Sequence, residues 1–241
     1  MLLTRFQEAV DQLYAKIRDT QNENIQKAGQ MIADSVLNGG CVHVFDTGHL
    51  INAELIHRAG GMVLFKAFNF QVNVNSNARA RGKTKKNYVE GMAKFLLELS
   101  NVQPGDVMIV GSVSGKTTNV LDVAWEAKKL GVKVIGLSSI EYSSTLPAEH
   151  TCGLHLYEIA DLAINNCAPI GDAMLEVEGL DAPAVPASGL AAAYIMWGVN
   201  ACVMENLVKA GKQPGVYKSI NYGTTADYNK KLGEAYEKTG F

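Results

Sequence analysis

The sequence predicts an α/β protein: a three-layer αβα sandwich around a parallel sheet of roughly five strands, with a helical arm ahead of the first strand. Three observations lead there. Short apolar runs alternate with segments whose apolar residues recur every three or four positions, the order that places a parallel sheet between two helical layers. The run VMIV at residues 107–110 is apolar throughout rather than alternating, as a strand covered on both faces requires. The chain's 241 residues, 47% of them hydrophobic, suffice for one sizeable core. The expected organisation is a single domain over residues 1–241. Residues 1–38 form the arm, and residues 187–241 supply C-terminal helices that pack on the core or on a partner.

Leu3, Phe6, Val10, Leu13 and Ile17 step by three and four along one helix face. A second apolar series, Ile25, Ala28, Ile32 and Val36, ends at Gly39-Gly40. This stripe has to be buried against its own domain or against another subunit. The first strand is Cys41-Val-His-Val-Phe45. It leads through Asp46-Thr47-Gly48-His49 into a helix that contains Ala53-Glu54-Leu55-Ile56-His57 and runs to Gly60-Gly61. A second strand is expected at residues 62–65. Residues 66–86 are long and irregular, with Arg79, Arg81, Lys83, Lys85 and Lys86 close together, either a solvated basic loop or a phosphate-gathering lid. Residues 90–99 read as helix, and Pro104-Gly105-Asp106 turns the chain into the central strand.

That strand is followed by Ser112, Ser114, Gly115, Lys116, Thr117 and Thr118, then by an amphipathic helix. Asn119 is its candidate cap and Gly131 its stop. Strand, hydroxyl-rich turn and helix N-terminus together make an anion seat, because free N–H groups, the helix dipole and donor side chains converge on one point. Three readings fit: a plain capped turn, a nucleotide P-loop, or a monophosphate seat. The P-loop is one residue short, since three residues rather than four separate Gly111 from Gly115.

Residues 131–139 form the next strand, ending in Ser138-Ser139, and residues 141–150 a loop. Residues 155–166 carry a further apolar strand, and residues 169–186 a long loop. Ser188 is placed to cap the helix at residues 190–210, which is apolar nearly all round and therefore buried in the core or between subunits. A short edge strand at residues 216–221 and a polar helix at residues 227–238 close the chain.

Net charge is −2, which gives no electrostatic case for nucleic acid or an anionic membrane. The first residues carry charge early and do not read as a signal peptide. Residues 190–204 are too short for a membrane span and include Asn200. Cys41, Cys152, Cys167 and Cys202 show no CxxC spacing and read as buried thiols of a cytoplasmic protein. His150, Cys152 and His155 fit no standard zinc spacing, so neither a metal nor a cofactor is expected.

The stretch Ser112-Val-Ser-Gly-Lys-Thr117, its helix, and Gly131-Val-Lys-Val-Ile-Gly-Leu-Ser-Ser139 resemble the signature of the sugar isomerase (SIS) domain family, closest to its single-domain, phosphoheptose isomerase-like branch. The resemblance extends from about residue 40 to residue 166 and more weakly beyond. It implies a flavodoxin-like fold and a sugar phosphate whose phosphate is held by Ser112, Ser114, Thr117 and Ser138 or Ser139. It also implies a homo-oligomer, dimer or tetramer. In a parallel sheet the strand ends at Asp46 to His49, Ser112 to Thr117 and Ser138-Ser139 meet at one crevice, which adds Gly48, His49, Gly115 and Lys116 to the expected site.

An aldose–ketose isomerase needs a base to move a proton between C1 and C2, and an acid for the ring oxygen. Glu54 is the first candidate base, in the region where the family places a functional Glu. Glu90 is the second, and His57 and His49 are candidate acids. Two departures stand out. The family's Gly-x-Gly-x-Ser loop is here Asp46-Thr-Gly-His-Leu50, and no His follows His155 to match the C-terminal-helix His of phosphoheptose isomerases. The expected function is a sugar-phosphate isomerase; the alternatives are a lactyl-etherase-like lyase for an amino-sugar phosphate, or a phosphosugar sensor without catalysis.

Overall fold

The computed structural model describes residues 1–47, 51–79, 81, 82, 88–221, 223 and 225–241. Five parallel strands form one sheet: β1 (Val42–Asp46), β2 (Phe65–Ala67), β3 (Val107–Gly111), β4 (Lys133–Ser138) and β5 (Leu162–Asn165). Their order is β2-β1-β3-β4-β5. The order reverses between β1 and β3, and the crevice beyond the carboxyl ends of strands at such a reversal is where open α/β sheets hold ligands.

Alternate side chains of β3 serve two cores, as the two-residue period of a strand requires. Val107 and Ile109 pack with α1 (Leu2–Leu37) and α7 (Ser188–Lys209). Met108 and Val110 pack with α3 (Met92–Glu98), α4 (Thr118–Leu130) and α6 (Leu156–Ile159). All four are fully buried, each contributing about 1.5–3 kcal/mol by removal from water. These two helical layers with the sheet between them are the αβα sandwich.

The two apolar series of the arm lie on one unbroken helix, α1, whose stripe is buried on its own chain from Leu13 onward. Gly29 permits its close approach to α7: a Cβ there would lie 2.4 Å from Cys202 Cβ.

Several boundaries differ from expectation. Helix α2 spans only Asn52–Leu55 and does not run on to Gly60-Gly61. There Gly60 N–H donates to Tyr217 O (2.8 Å), Tyr217 N–H to Gly61 O (2.9 Å) and Val63 N–H to Gly215 O (2.9 Å), which draws the chain into extended pairing. The same pairing reduces the expected edge strand at residues 216–221 to a single bridge, Met62 to Val216, and the second strand starts later, at Phe65. The loop after β4 contains a short helix, α5 (Ile140–Ser144), and residues 155–166 divide into α6 and β5. The long loop at residues 169–186 carries an antiparallel pair, β6 (Ala173–Leu175) with β7 (Ala184–Pro186). Asp172, not Ser188, caps α7: its Oδ1 accepts from the N–H groups of Ala187 (3.2 Å) and Ser188 (2.8 Å). Helix α8 (Ala226–Thr239) ends the fold. Among the described residues no helix is long and apolar enough to cross a membrane.

Candidate functional site

The turn between β3 and α4 uses its carbonyls on the protein side. Val113 O accepts from Ser139 N–H (2.9 Å), Gly115 O from Leu156 N–H (2.9 Å) and Lys116 O from Glu149 N–H (2.8 Å). Ser112 Oγ accepts from Gly115 N–H at 3.2 Å and tightens the loop on itself. Those three carbonyls are thus engaged by neighbouring segments of the chain. Gly115 has φ +54°, and a Cβ there would lie 3.1 Å from Leu156 Cβ and 3.3 Å from both Ser138 Cβ and Ser143 Oγ. A side chain would be both strained and crowded. Thr117, not Asn119, is the N-cap of α4, and its side chain makes no capping bond. The positive end of the helix is therefore left open by its own cap.

Unpaired buried polar atoms gather at this edge. Among the described residues they are Asn52 Oδ1, Thr117 Oγ1, Ser138 Oγ, Ser143 Oγ, Asn166 Nδ2 and both amide atoms of Asn200. Asn52 follows β1, Thr117 follows β3, Ser138 ends β4 with Ser143 just beyond it, and Asn166 follows β5. Only Asn200, on α7, lies elsewhere, and nothing in the structure explains it. Each buried polar atom without a partner costs about 1–3 kcal/mol, so this edge carries an unmet demand for hydrogen bonds. The turn is not sealed: Ser114, Lys116 and Thr117 are each half-buried.

Ser112, Ser114, Gly115, Lys116 and Thr117 form the turn, and Ser138 lies against it at Gly115. Ser139 is committed elsewhere: its Oγ donates to Ala168 O (2.7 Å) and accepts from Tyr142 N–H (3.2 Å), capping α5. Lys116 Nζ stands 2.6 Å from Glu149 Oε1. Glu54 sits in the single turn of α2, half exposed, paired with Arg58 at 3.3 Å. His57 is exposed with φ +56°, its ring 5.4 Å from that of Tyr217.

Glu90 lies on the outer flank of α4, bound by the Thr151 hydroxyl and N–H and facing His150 at 3.6 Å. With Asp122, Trp125, His150 and Cys152 it lines a cavity of about 260 Å³ to which the turn contributes no residue. The Thr151 hydroxyl, and after it the Thr151 N–H, hold the Glu90 carboxyl below the usual carboxylate range, which makes it a weaker base. Gly48, His49 and the basic residues Lys83, Lys85 and Lys86 lie outside the described residues.

Asp46, where the family loop has Gly, is buried and supports the backbone: its Oδ2 accepts from Ile51 N–H (2.6 Å) and Asn52 N–H (2.7 Å) at the start of α2. Sequence reasoning missed Ser143, Glu149 and Asn166. Asn166 alone had a signal, its place just beyond an apolar strand on the edge where the other strand ends converge. His150, Cys152 and His155 do not converge. His150 Nδ1 accepts from Cys152 N–H (3.1 Å), while His155 Nε2 meets Leu146 O (2.7 Å). Among the described residues no three His, Cys, Asp or Glu side chains could hold a metal ion together.

Comparison with known proteins adds to this geometry. A family model described as SIS domain matches residues 5–139. A UPF0309 protein of Halalkalibacterium halodurans is 31% identical over 239 residues, covering 98% of this chain and 95% of the relative. Another, from Streptomyces avermitilis, is 32% identical over 239 residues with the same coverage, 98% and 95%. Among solved structures, a phosphoheptose isomerase from Neisseria gonorrhoeae superposes with a TM-score of 0.54 at 13% identity, covering 85% of this chain and 97% of its own. One from Francisella tularensis gives 0.51 at 14% identity, covering 84% and 96%. At such identities the structural likeness shows the fold alone.

Proposed function

The chain belongs to the SIS domain family, and on that premise we propose that it binds a sugar phosphate and isomerises it between aldose and ketose. One observation carries the reading: three carbonyls of the turn after β3 are engaged by neighbouring segments, its helix N-terminus has no side-chain cap, and the buried hydroxyls of Thr117, Ser138 and Ser143 at and beneath it have no partner. A phosphoryl group supplies what that arrangement lacks, several acceptor oxygens and negative charge at the positive end of a helix. Ser112, Ser114 and Thr117 with the first N–H groups of α4 take the phosphoryl group, Gly115 gives the backbone close approach, and Ser138 supports the turn from below. The sugar then extends toward the end of β1, where Glu54 is the candidate base that takes the proton from C2 and returns it to C1 through an enediol. Ser139 and Glu90 act structurally in this scheme, through the cap of α5 and the contact with Thr151.

A cytoplasmic homo-oligomer belongs to the same proposal. Leu2 and Leu3 are exposed on the part of α1 that precedes its buried stripe, an apolar end suited to a second copy.

A phosphosugar sensor without catalysis is the second reading. It is favoured by the pairing of Glu54 with Arg58 and by the absence of any His after His155 in the sequence. Two variants separate these possibilities. Ser114→Ala weakens binding of a sugar monophosphate by about 1–2 kcal/mol in calorimetry, a lost hydrogen bond to a charged group; unchanged affinity rejects the seat. Glu54→Gln abolishes turnover of a bound sugar phosphate while leaving its affinity in place. If no sugar phosphate that binds is turned over by the unmodified protein, the sensor reading holds.

A further inference from the structure

Lys116 is the only cation among residues 111–119, and it is already taken. Its ammonium stands 2.6 Å from Glu149 Oε1, the Lys116 side chain 26% exposed and that of Glu149 46% exposed. Glu149 is exposed, but its backbone is tied to the turn on both sides. Its N–H donates to Lys116 O at 2.8 Å, and its own carbonyl accepts from Thr118 Oγ1 at 2.7 Å. The backbone of residue 149 is thus fixed to both ends of the three-residue stretch 116–118 that spans the N-cap of α4, and its carboxylate reaches back to the one charge in the turn. The hydroxyls beneath are the unpaired ones: Ser138 and Ser143 are fully buried, their Oγ atoms have no partner, and both residues lie against Gly115.

We propose that Glu149 is a specificity-determining residue of the seat, a built-in anion that competes with the ligand's phosphate for Lys116. This rests on the phosphosugar reading and sharpens it. With Lys116 neutralised, the turn offers an anion only neutral donors and the helix dipole, and a carboxylate stands beside the entry. A bare inorganic anion gains little by binding there. A phosphate ester whose sugar is held elsewhere has the additional binding energy to draw Lys116 away from Glu149. The pair therefore discriminates against free phosphate in favour of the ester. Lys116 has four rotatable methylenes with which to swing, whereas Glu149 is held by its backbone.

The test is calorimetric titration of the whole chain with inorganic phosphate and with glucose 6-phosphate as probes at neutral pH. It compares the unmodified protein with Glu149→Gln, Lys116→Met and the double variant, the fold of each checked by circular dichroism and thermal melting. Glu149→Gln tightens inorganic phosphate by about threefold to tenfold, and the gain shrinks as salt is raised. In the Lys116→Met background most of that gain is lost, because the competed-for charge is gone. A role confined to holding the loop predicts the opposite sign, weaker binding with a lower melting temperature. Phosphate binding that Glu149→Gln leaves unchanged or weaker overturns the proposal, as does a full gain persisting without Lys116. If neither probe binds any of the four proteins, the phosphosugar reading falls and this proposal with it.

Discussion

The two ends of the central sheet are built on opposite terms. At the amino end, Asp106 gathers three polar partners. Cys41 N–H donates to its Oδ1 at 2.8 Å, Gln103 N–H to its Oδ2 at 2.9 Å, and the His43 ring meets Oδ2 at 2.8 Å, all around a carboxylate that is 4% exposed. At the carboxyl end, among the described residues, five present buried polar atoms with no partner. The strands and the layers are the same; only the accounting of hydrogen bonds differs. A fold that can satisfy its polar groups so fully at one end has the means to do so at the other. On the proposed phosphosugar reading, the unmet demand at the carboxyl end is reserved for a ligand, at a stability cost that the amino end helps offset.

The sharpest way to break this comparison is to damage the satisfied end. Asp106→Ala leaves two backbone N–H groups and an imidazole buried without their acceptor, and lowers stability by about 3–5 kcal/mol in urea unfolding. A loss under about 1 kcal/mol would show that the satisfied carboxylate contributes little to the stability of the amino end.

The same carboxylate sets an expectation for acid. Burial pushes the Asp106 carboxyl up, but the His43 ring and the N–H groups of Cys41 and Gln103 together reverse this and hold it below the ordinary range. A carboxyl depressed on folding contributes stability that is present above its unfolded pKa, about 4, and that is lost as pH falls through the lower folded value. The stability gap between the unmodified protein and Asp106→Asn is therefore widest near neutrality and narrows below about pH 4. Urea unfolding at pH 7, 4.5 and 3 reads this directly, and a gap that widens on acidification contradicts it.

The two ends were not equally legible in the sequence. The central strand could be read because a strand buried on both faces is apolar without interruption, and α4 because its apolar residues keep helical spacing up to Gly131, which takes φ +89° as its cap. The turn after β3 could be read because its residues are consecutive. What could not be read depends on residues far apart in the chain. Glu149 meets Lys116 across 33 positions and Glu90 meets Thr151 across 61. Asp172 caps α7 from 16 positions before Ser188. The short α2 is a tertiary override of the same kind: the helical pattern runs on, but pairing with residues 215–217 claims the backbone from Gly60. Asp46 stands out in the sequence only as a departure from the family's loop, and its bonds to Ile51 and Asn52 reveal a structural use.

The smallest expected effect tests the comparison most directly. Ser138 is 0% exposed, and its Oγ has no partner. Core hydroxyls are ordinarily costly to remove, because their hydrogen bonds go with them. Here there is no such bond to lose, so Ser138→Ala changes stability by no more than about 0.5 kcal/mol, and removal of an unsatisfied oxygen from an apolar setting can make the change favourable. On the phosphosugar reading that unpaired oxygen is kept for a ligand, so the same variant weakens sugar-phosphate binding. Urea unfolding and calorimetry on one protein sample give both numbers. A loss of 2 kcal/mol or more in the ligand-free protein would mean that the Ser138 hydroxyl is already satisfied without a ligand, and the contrast between the two ends of the sheet would then be one of position rather than of purpose.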